Sequence, residues 1–211
     1  TLQLREFFAT ITHELKTALA SVRIQGESLG EDLKNSEHQI LVNRLVADTV
    51  RLELQLENSL FLAHADQDQM FFEKADLQKT ILSFQHQFPQ LRLIVEKNAA
   101  LDVDKRCFES ILKNLIQNAF YHGQATEVRF SSEILSAKNS ILLSIQDNGV
   151  GFRGDTSKLG ELFSRHSSSS GSGVGLYLVQ DLVRKMNGQV RWIKNLNSGF
   201  KVEIELRGVP V

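Results

Sequence analysis

Residues 112–123 read LKNLIQNAFYHG, and they close a strongly amphipathic stretch of the chain. Between residues 105 and 121, Phe108, Ile111, Leu112, Leu115 and Ile116 recur at helical spacing, which predicts a helix with one apolar side. Asn114 and Asn118 are four residues apart and so share a helical face, where the apolar stripe leaves room. Neutral amides can complete the shell of a magnesium ion already held by nucleotide phosphates without adding charge. By themselves the two asparagines suit the polar edge of an ordinary helix equally well.

Outward from this helix the pattern is mixed. Residues 76–88 read as a helix and 91–96 (LRLIVE) as a strand, and segments near 126–131, 140–147, 189–195 and 200–206 carry β-branched residues with partial alternation. A further helical pattern runs from Val174 to Met186. The front of the chain is different. Leu4, Phe8, Ile11, Leu15, Ala18 and Val22 recur at alternating steps of four and three, the seam of a bundle helix, predicted over about residues 2–34. A second seam runs through Leu41, Leu45, Asp48, Leu52, Gln55/Leu56, Ser59 and Leu62, after a polar turn in which Ser36 is a candidate cap. An isolated two-helix hairpin buries too little to stand alone, so it is expected to dimerise into a four-helix bundle or to dock on the rest of the chain.

Composition agrees with this division. The chain has 211 residues, which at roughly 150 per domain means one domain or two small ones. Hydrophobic residues make up 42% and charged residues 23%, an ordinary globular mixture that excludes a disordered or low-complexity chain. Lys and Arg number 24 against 25 Asp and Glu, so the positive field of a nonspecific nucleic-acid binder is missing and no nucleic-acid partner is expected. Cys107 is the single cysteine and reads as a small buried hydrophobe. No apolar run reaches the roughly 20 residues that would span a bilayer, and a soluble piece cut from a longer chain is expected, since it opens on Thr1 rather than Met. Only Gly26 and Gly30 of the 13 glycines precede residue 120, which marks a change of architecture along the chain. The connection is expected near residues 66–72, and no internal repeat is found.

Three further strings carry chemistry. His13 lies off the first seam, about 200° from Ile11 and Leu15 at 100° per residue, so it is expected to face solvent with the small residues Ala9, Thr10, Thr17 and Ala20 around it. Glu14 follows it, and a carboxylate there can take an imidazole proton and raise the nucleophilicity of the other ring nitrogen. Asp147-Asn148-Gly149-Val150-Gly151-Phe152 follows an apolar strand; a carboxylate at a strand end can accept the exocyclic amine of adenine while glycines let the backbone approach the base. Gly171-Ser172-Gly173-Val174-Gly175-Leu176 opens a helix, where backbone amides make an anion site suited to phosphates. A Rossmann unit is disfavoured, because this motif comes late and not in the first strand-to-helix turn.

Residues 7–19, FFATITHELKTAL, resemble the phosphoacceptor box of sensor histidine kinases, and LKNLIQNAFYHG resembles the asparagine box of the ATPase fold they share with gyrase B, Hsp90 and MutL. The two glycine strings resemble the first and second glycine boxes of that fold, and Leu162-Phe163 its phenylalanine box. The resemblance covers nearly the whole chain in family order. It implies an α + α/β architecture: a dimerising and phosphoaccepting helical hairpin over 1–68, followed by a Bergerat-type (GHKL) ATP-binding α/β sandwich over 69–211. It further implies that His13 accepts a phosphoryl group from ATP, that Glu14 assists proton removal, and that Thr17 positions water for dephosphorylation of the partner. Asn118 would coordinate Mg2+ and Asn114 support the phosphates. Tyr121 and His122 would lie at the phosphates, and Asp147, Gly149 and Gly151 at the adenine. Arg165 would sit in a lid over residues 165–170, with Gly171, Ser172, Gly173, Val174, Gly175 and Leu176 at the β- and γ-phosphates.

Three departures stand out: Lys16 replaces the usual Arg, Ala18 the usual kink-forming proline, and Tyr121 the usual Lys or Arg. The implied function is an ATP-dependent histidine autokinase that passes its phosphoryl group to an aspartate of a response-regulator receiver domain and also acts as its phosphatase. Its cofactors are ATP and Mg2+, and its partners are a second copy of the chain and the receiver. The fragment is expected to be cytoplasmic, with the full-length protein anchored in the inner membrane through segments outside this chain. A kinase-poor scaffold or phosphatase, motivated by Tyr121, Ala18 and the sparsely charged lid, is the second class. A chaperone- or topoisomerase-type ATPase is the third, and it has no use for the His13 helix.

Overall fold

The computed structural model describes the backbone of residues 2–34, 37–65, 69–135, 139–152, 154–156, 159–160, 174–194 and 199–209. The chain divides into two compact units, Thr1–Asp68 and Gln69–Val211. Among the described residues no helix is long and apolar enough to cross a membrane.

The first unit is an antiparallel hairpin of α1 (Leu2–Asp32) and α2 (Gln39–Ala65). α1 runs through Ala18 without a break, as expected once the proline is absent. α2 opens at Gln39, with the His38 carbonyl accepting from Leu41 and Val42; the candidate cap Ser36 lies outside the described residues. The seam differs from the expected one. Leu15, Ala18, Val22, Leu41, Leu45, Asp48 and Leu52 are exposed within the chain, and the helices meet along a stripe one residue further on. That stripe carries Lys16, Leu19, Arg23, Gly26 and Gly30 on α1, and Val42, Val46, Thr49, Glu53 and Leu56 on α2. Close approach explains the glycines. A β-carbon at Gly26 would lie 2.9 Å from Val46 Cγ2, and one at Gly30 would lie 3.4 Å from Val42 Cγ1. Charges in the stripe are paired: Arg23 Nη1 reaches Glu53 Oε2 at 2.7 Å, and Lys16 Nζ reaches Glu57 at 3.4 Å. The sequence pattern selected the more apolar of two adjacent stripes, and that one stays open in a single chain.

The second unit is a seven-stranded mixed sheet covered on one face by helices. Its elements are β1 (Phe72–Asp76), α3 (Leu77–Gln85), β2 (Arg92–Val95), β3 (Ala100–Asp104), α4 (Lys105–Gln117), β4 (Glu127–Leu135), β5 (Ser140–Asp147), α5 (Val174–Lys185), β6 (Gln189–Lys194) and β7 (Phe200–Val209). The order is β1-β3-β7-β5-β4-β2, with β6 also paired to β7. β2 and β4 are parallel and the remaining pairs antiparallel. Alternation decides the faces. Ile141, Leu143 and Ile145 on β5 and Val202, Ile204 and Leu206 on β7 form buried rows. Ile81 and Phe84 of α3, Phe108, Ile111, Leu112 and Leu115 of α4, and Leu178 and Leu182 of α5 are buried in the same core. β1 and β3 were not expected from the sequence. β1 buries only Ala75 among its described positions, whereas β3 alternates Leu101 and Val103 with aspartates.

Aspartates end both β1 and β3 and cap the helices that follow. Asp76 accepts from the Lys79 amide at 2.9 Å, and Asp104 from the Cys107 amide at 3.2 Å. Asp104 is buried and also accepts from the Phe71 amide at 3.0 Å and from Arg106. Burial alone would raise its carboxyl, but the Phe71 amide, the Arg106 guanidinium and the Cys107 amide outweigh burial and hold it below the ordinary carboxylate range. Its stabilising contribution is therefore present above the unfolded-state value and is lost as pH falls through the folded one. Asp104→Ala is expected to lower unfolding stability by about 1–3 kcal/mol near neutral pH. The deficit should shrink in acid, which denaturant titrations at about pH 7 and about pH 3 will read.

Candidate functional site

The asparagine helix ends differently from the expectation of α-helix to residue 121. α4 stops at Gln117, and Asn118–His122 form a single π-turn. The Asn118 amide is shared between the Asn114 and Leu115 carbonyls, and Gly123 N donates to Asn118 O at 2.9 Å. A π-turn carries one extra residue, so Tyr121 and His122 are rotated by about one residue step, roughly 100°, from where an α-helix would put them. Both are exposed, with Tyr121 edge-on to Phe120 at 5.0 Å between centroids. Asn114 is buried and its amide donates to the Ser110 carbonyl at 2.9 Å. The Asn118 side chain makes no hydrogen bond among the described residues. It is half-buried and available as a ligand.

Asp147 has an origin that can be read from the register. It is the last residue of the inner row Ile141, Leu143, Ile145 on β5, and it stands opposite Val128 of β4. An apolar row thus terminates in a carboxylate. Burial pushes its carboxyl above the ordinary value, against the amides of Gly149 and Phe200, which donate to Oδ1 at 2.8 and 3.3 Å. Oδ2 has no hydrogen-bond partner among the described residues. A half-desolvated carboxylate with one oxygen fixed and one open is a directed acceptor.

Backbone groups from three segments close around it. Val150 N donates to Gly123 O at 2.8 Å and Gly199 N to Gly149 O at 2.7 Å. Gly149 must lack a β-carbon, because one would strike the Gly123 carbonyl oxygen. Gly199 has φ +75°, and a β-carbon there would meet the Asp147 carbonyl. Gly151 lies against Gly199 in turn. Beside them, Phe152 and Trp192 both contact Phe200, the first edge-on and the second stacked. Gly123, Gly199 and Asn148 were missed as site residues. The signals available were the glycine that ends LKNLIQNAFYHG and the Ser198-Gly199-Phe200 entry into an alternating strand.

The remaining expectations divide plainly. Val174 is buried and Gly175 and Leu176 half-buried at the start of α5. Arg165, Gly171, Ser172, Gly173 and Leu162-Phe163 lie outside the described residues, as does the side chain of His13. His13 itself falls within α1, and Glu14 beside it and Thr17 one turn on are exposed.

Residues 103–209 match the family described as histidine kinase-, DNA gyrase B-, and HSP90-like ATPase, and residues 3–68 match the His Kinase A phospho-acceptor domain. The chain belongs to the sensor histidine kinases. Among its relatives, the sensor protein IrlS of Burkholderia pseudomallei is 23% identical over 88% of this chain and 43% of its own length. The sensor histidine kinase YvrG of Bacillus subtilis is 27% identical over 94% of this chain and 37% of its own. The sensor-type histidine kinase PrrB of Mycobacterium bovis is 27% identical over 97% and 48%. The chain therefore spans less than half the length of these relatives. Solved structures that share the fold include ShkA and AdeS. Full-length ShkA in complex with AMPPNP superposes with a TM-score of 0.64 at 21% identity, covering 98% of this chain and 46% of that one. The Acinetobacter baumannii histidine kinase AdeS superposes at 0.59 and 24%, covering 91% and 94%.

Asp147→Asn keeps an oxygen for the Gly149 and Phe200 amides and replaces the open Oδ2 by a donor. Because the folded state raises this carboxyl, the ionised group opposes folding as pH rises through its folded value, and that cost disappears in the amide. The variant is expected to melt no lower than wild type at neutral pH while losing about tenfold or more in ATP affinity. Paired thermal melts and calorimetric titrations with ATP check both halves.

Proposed function

We propose that the chain is the core of an ATP-dependent protein-histidine autokinase that phosphorylates His13 and passes the phosphoryl group to an aspartate of a response-regulator receiver domain. The observation that carries this is the presence, in one chain, of a phosphoacceptor-domain match spanning His13, Glu14 and Thr17 and an ATPase-family match spanning Asn118, Asp147 and the second glycine string. In the nucleotide corner, the open Oδ2 of Asp147 suits the exocyclic amine of adenine, and Gly149 and Gly199 lie so close to the Gly123 and Asp147 carbonyls that no side chain fits on either. Asn118 suits a magnesium ion, which offsets charge on the phosphates when bound. Gly175, with Gly171 and Gly173 of the same string, would bring backbone amides to the phosphates at the start of α5.

The chemistry at His13 uses the neutral form of the imidazole, whose lone pair is the nucleophile. A ring nitrogen forms the bond to the γ-phosphorus as the bond to the bridging oxygen breaks, and ADP leaves. Glu14 takes the imidazole proton and releases it to water, consistent with its exposure. Transfer to the receiver then moves the phosphoryl group from nitrogen to a carboxylate oxygen. Thr17, one turn on, suits positioning the water that attacks the receiver's aspartyl phosphate, so that the carboxylate leaves and inorganic phosphate is released. The open stripe of Leu15, Val22, Leu45 and Leu52 supports a four-helix bundle with a second copy. Anchoring to a membrane is assigned to segments outside this chain. A scaffold without kinase activity is not favoured, since the relatives are named as sensor kinases.

Incubation with γ-labelled ATP and Mg2+ is expected to give an acid-labile, base-stable label on wild type and none on His13→Ala. A label that persists in the variant overturns the assignment of His13. Thr17→Ala should leave the label intact and slow dephosphorylation of a phosphorylated receiver.

A further inference from the structure

Asn148 separates the two residues that form the adenine corner, and its side chain is committed elsewhere. Oδ1 accepts from the Thr126 and Glu127 amides, at 3.0 Å each, and Nδ2 donates to Thr126 Oγ1 at 2.9 Å. Its own amide donates to the Glu127 carbonyl at 3.2 Å. Asn148 is exposed, so water could satisfy its amide. Instead both acceptor sites of Oδ1 serve one short segment, the one that leads from Gly123 into β4. That segment is itself anchored, since the Glu127 carboxylate is held by Arg92 and by Arg129 Nε at 2.6 Å. Val150 N donates to Gly123 O two residues further along. The turn carrying Asp147 and Gly149 is therefore fastened at both ends to the chain that leaves the π-turn.

The consequence falls on Asp147. Its Oδ1 is fixed by the Gly149 amide, so the direction of the open Oδ2 depends on the peptide between Asn148 and Gly149. Glycine restrains that peptide little. The geometry points to Asn148 as a positioning residue that aims the Asp147 carboxylate and thereby sets the preference for adenine over guanine. Adenine presents a donor where guanine presents a carbonyl acceptor, so a fixed carboxylate repels guanine, whereas a carboxylate free to swing can retreat from it. Sites built around a directed hydrogen bond discriminate far more strongly than loose ones. The inference rests on the proposal that Asp147 meets adenine.

The test is calorimetric titration of the full chain with ATP and with GTP, alongside thermal melts. Wild type should prefer ATP; equal binding of both nucleotides removes the adenine assignment of Asp147 and this inference with it. With the wild-type preference established, Asn148→Ala should lose about tenfold in ATP affinity and narrow the ATP-to-GTP ratio by a similar factor. Asn148→Asp should restore both, because its carboxylate accepts the two amides while the Thr126 hydroxyl turns to donate. An Asn148→Ala protein that melts lower yet keeps the wild-type ratio overturns the inference, since a merely structural role lowers both affinities together. If Asn148→Ala does not fold, Thr126→Val decides: it removes only the Nδ2 bond, and an unchanged ratio overturns the inference while a reduced one supports it.

Discussion

Everything in the second unit is arranged around the burial of one sheet face, and the site exists because one buried row ends in charge. Rows on β5 and β7 are apolar for their whole covered length, then reach Asp147 on one strand and Phe200 on its neighbour. A carboxylate in that place loses part of its hydration, and two backbone amides return only part of it. What is left is an acceptor oxygen whose hydrogen bond is worth more than it would be in water. The helices of this unit also place the other candidate residues, with Asn118 opening the π-turn that follows α4 and Gly175 in the first turn of α5.

The hairpin obeys a different constraint. Two stripes run along it one residue apart, and the packed one is the more polar, holding Arg23, Glu53, Lys16, Thr49 and two glycines. Paired charges in a contact surface contribute little net stability but penalise misaligned pairings, where a charge would lose its partner. The inner stripe is thus better suited to fixing register than to supplying driving force. The apolar area that would supply it lies on the outer stripe, at Leu15, Val22, Leu45 and Leu52.

Elements whose periodicity reports one dominant force were legible in the sequence. α1, α2, α4, α5 and the strands from β4 onward carry stripes or alternation strong enough to place them. β1 was invisible because an edge strand buries so little: Ala75 is the buried residue of Phe72–Asp76. The stripe by which the two helices meet within one chain was not legible, because periodicity measures apolarity and that contact is made largely by glycines and ion pairs. The π-turn at Asn118–His122 leaves no compositional trace, since it changes which carbonyl an amide reaches and not which residues are present. In the candidate site, Asp147, Gly149, Gly151 and Asn118 are the positions that the motifs single out. Gly123 and Gly199 were not, because what requires them is the approach of another segment's carbonyl oxygen.

Those mutual approaches set how this corner can change. Gly149 excludes a β-carbon because of Gly123, Gly151 because of Gly199, and Gly199 because of Asp147. Each segment is the obstacle to its neighbour, so enlarging any one of them requires another backbone to retreat. Substitutions here cannot be accumulated singly and repaired later. Variation in a population of such chains should therefore collect in the surrounding side chains, leaving these backbones as the least evolvable part of the molecule.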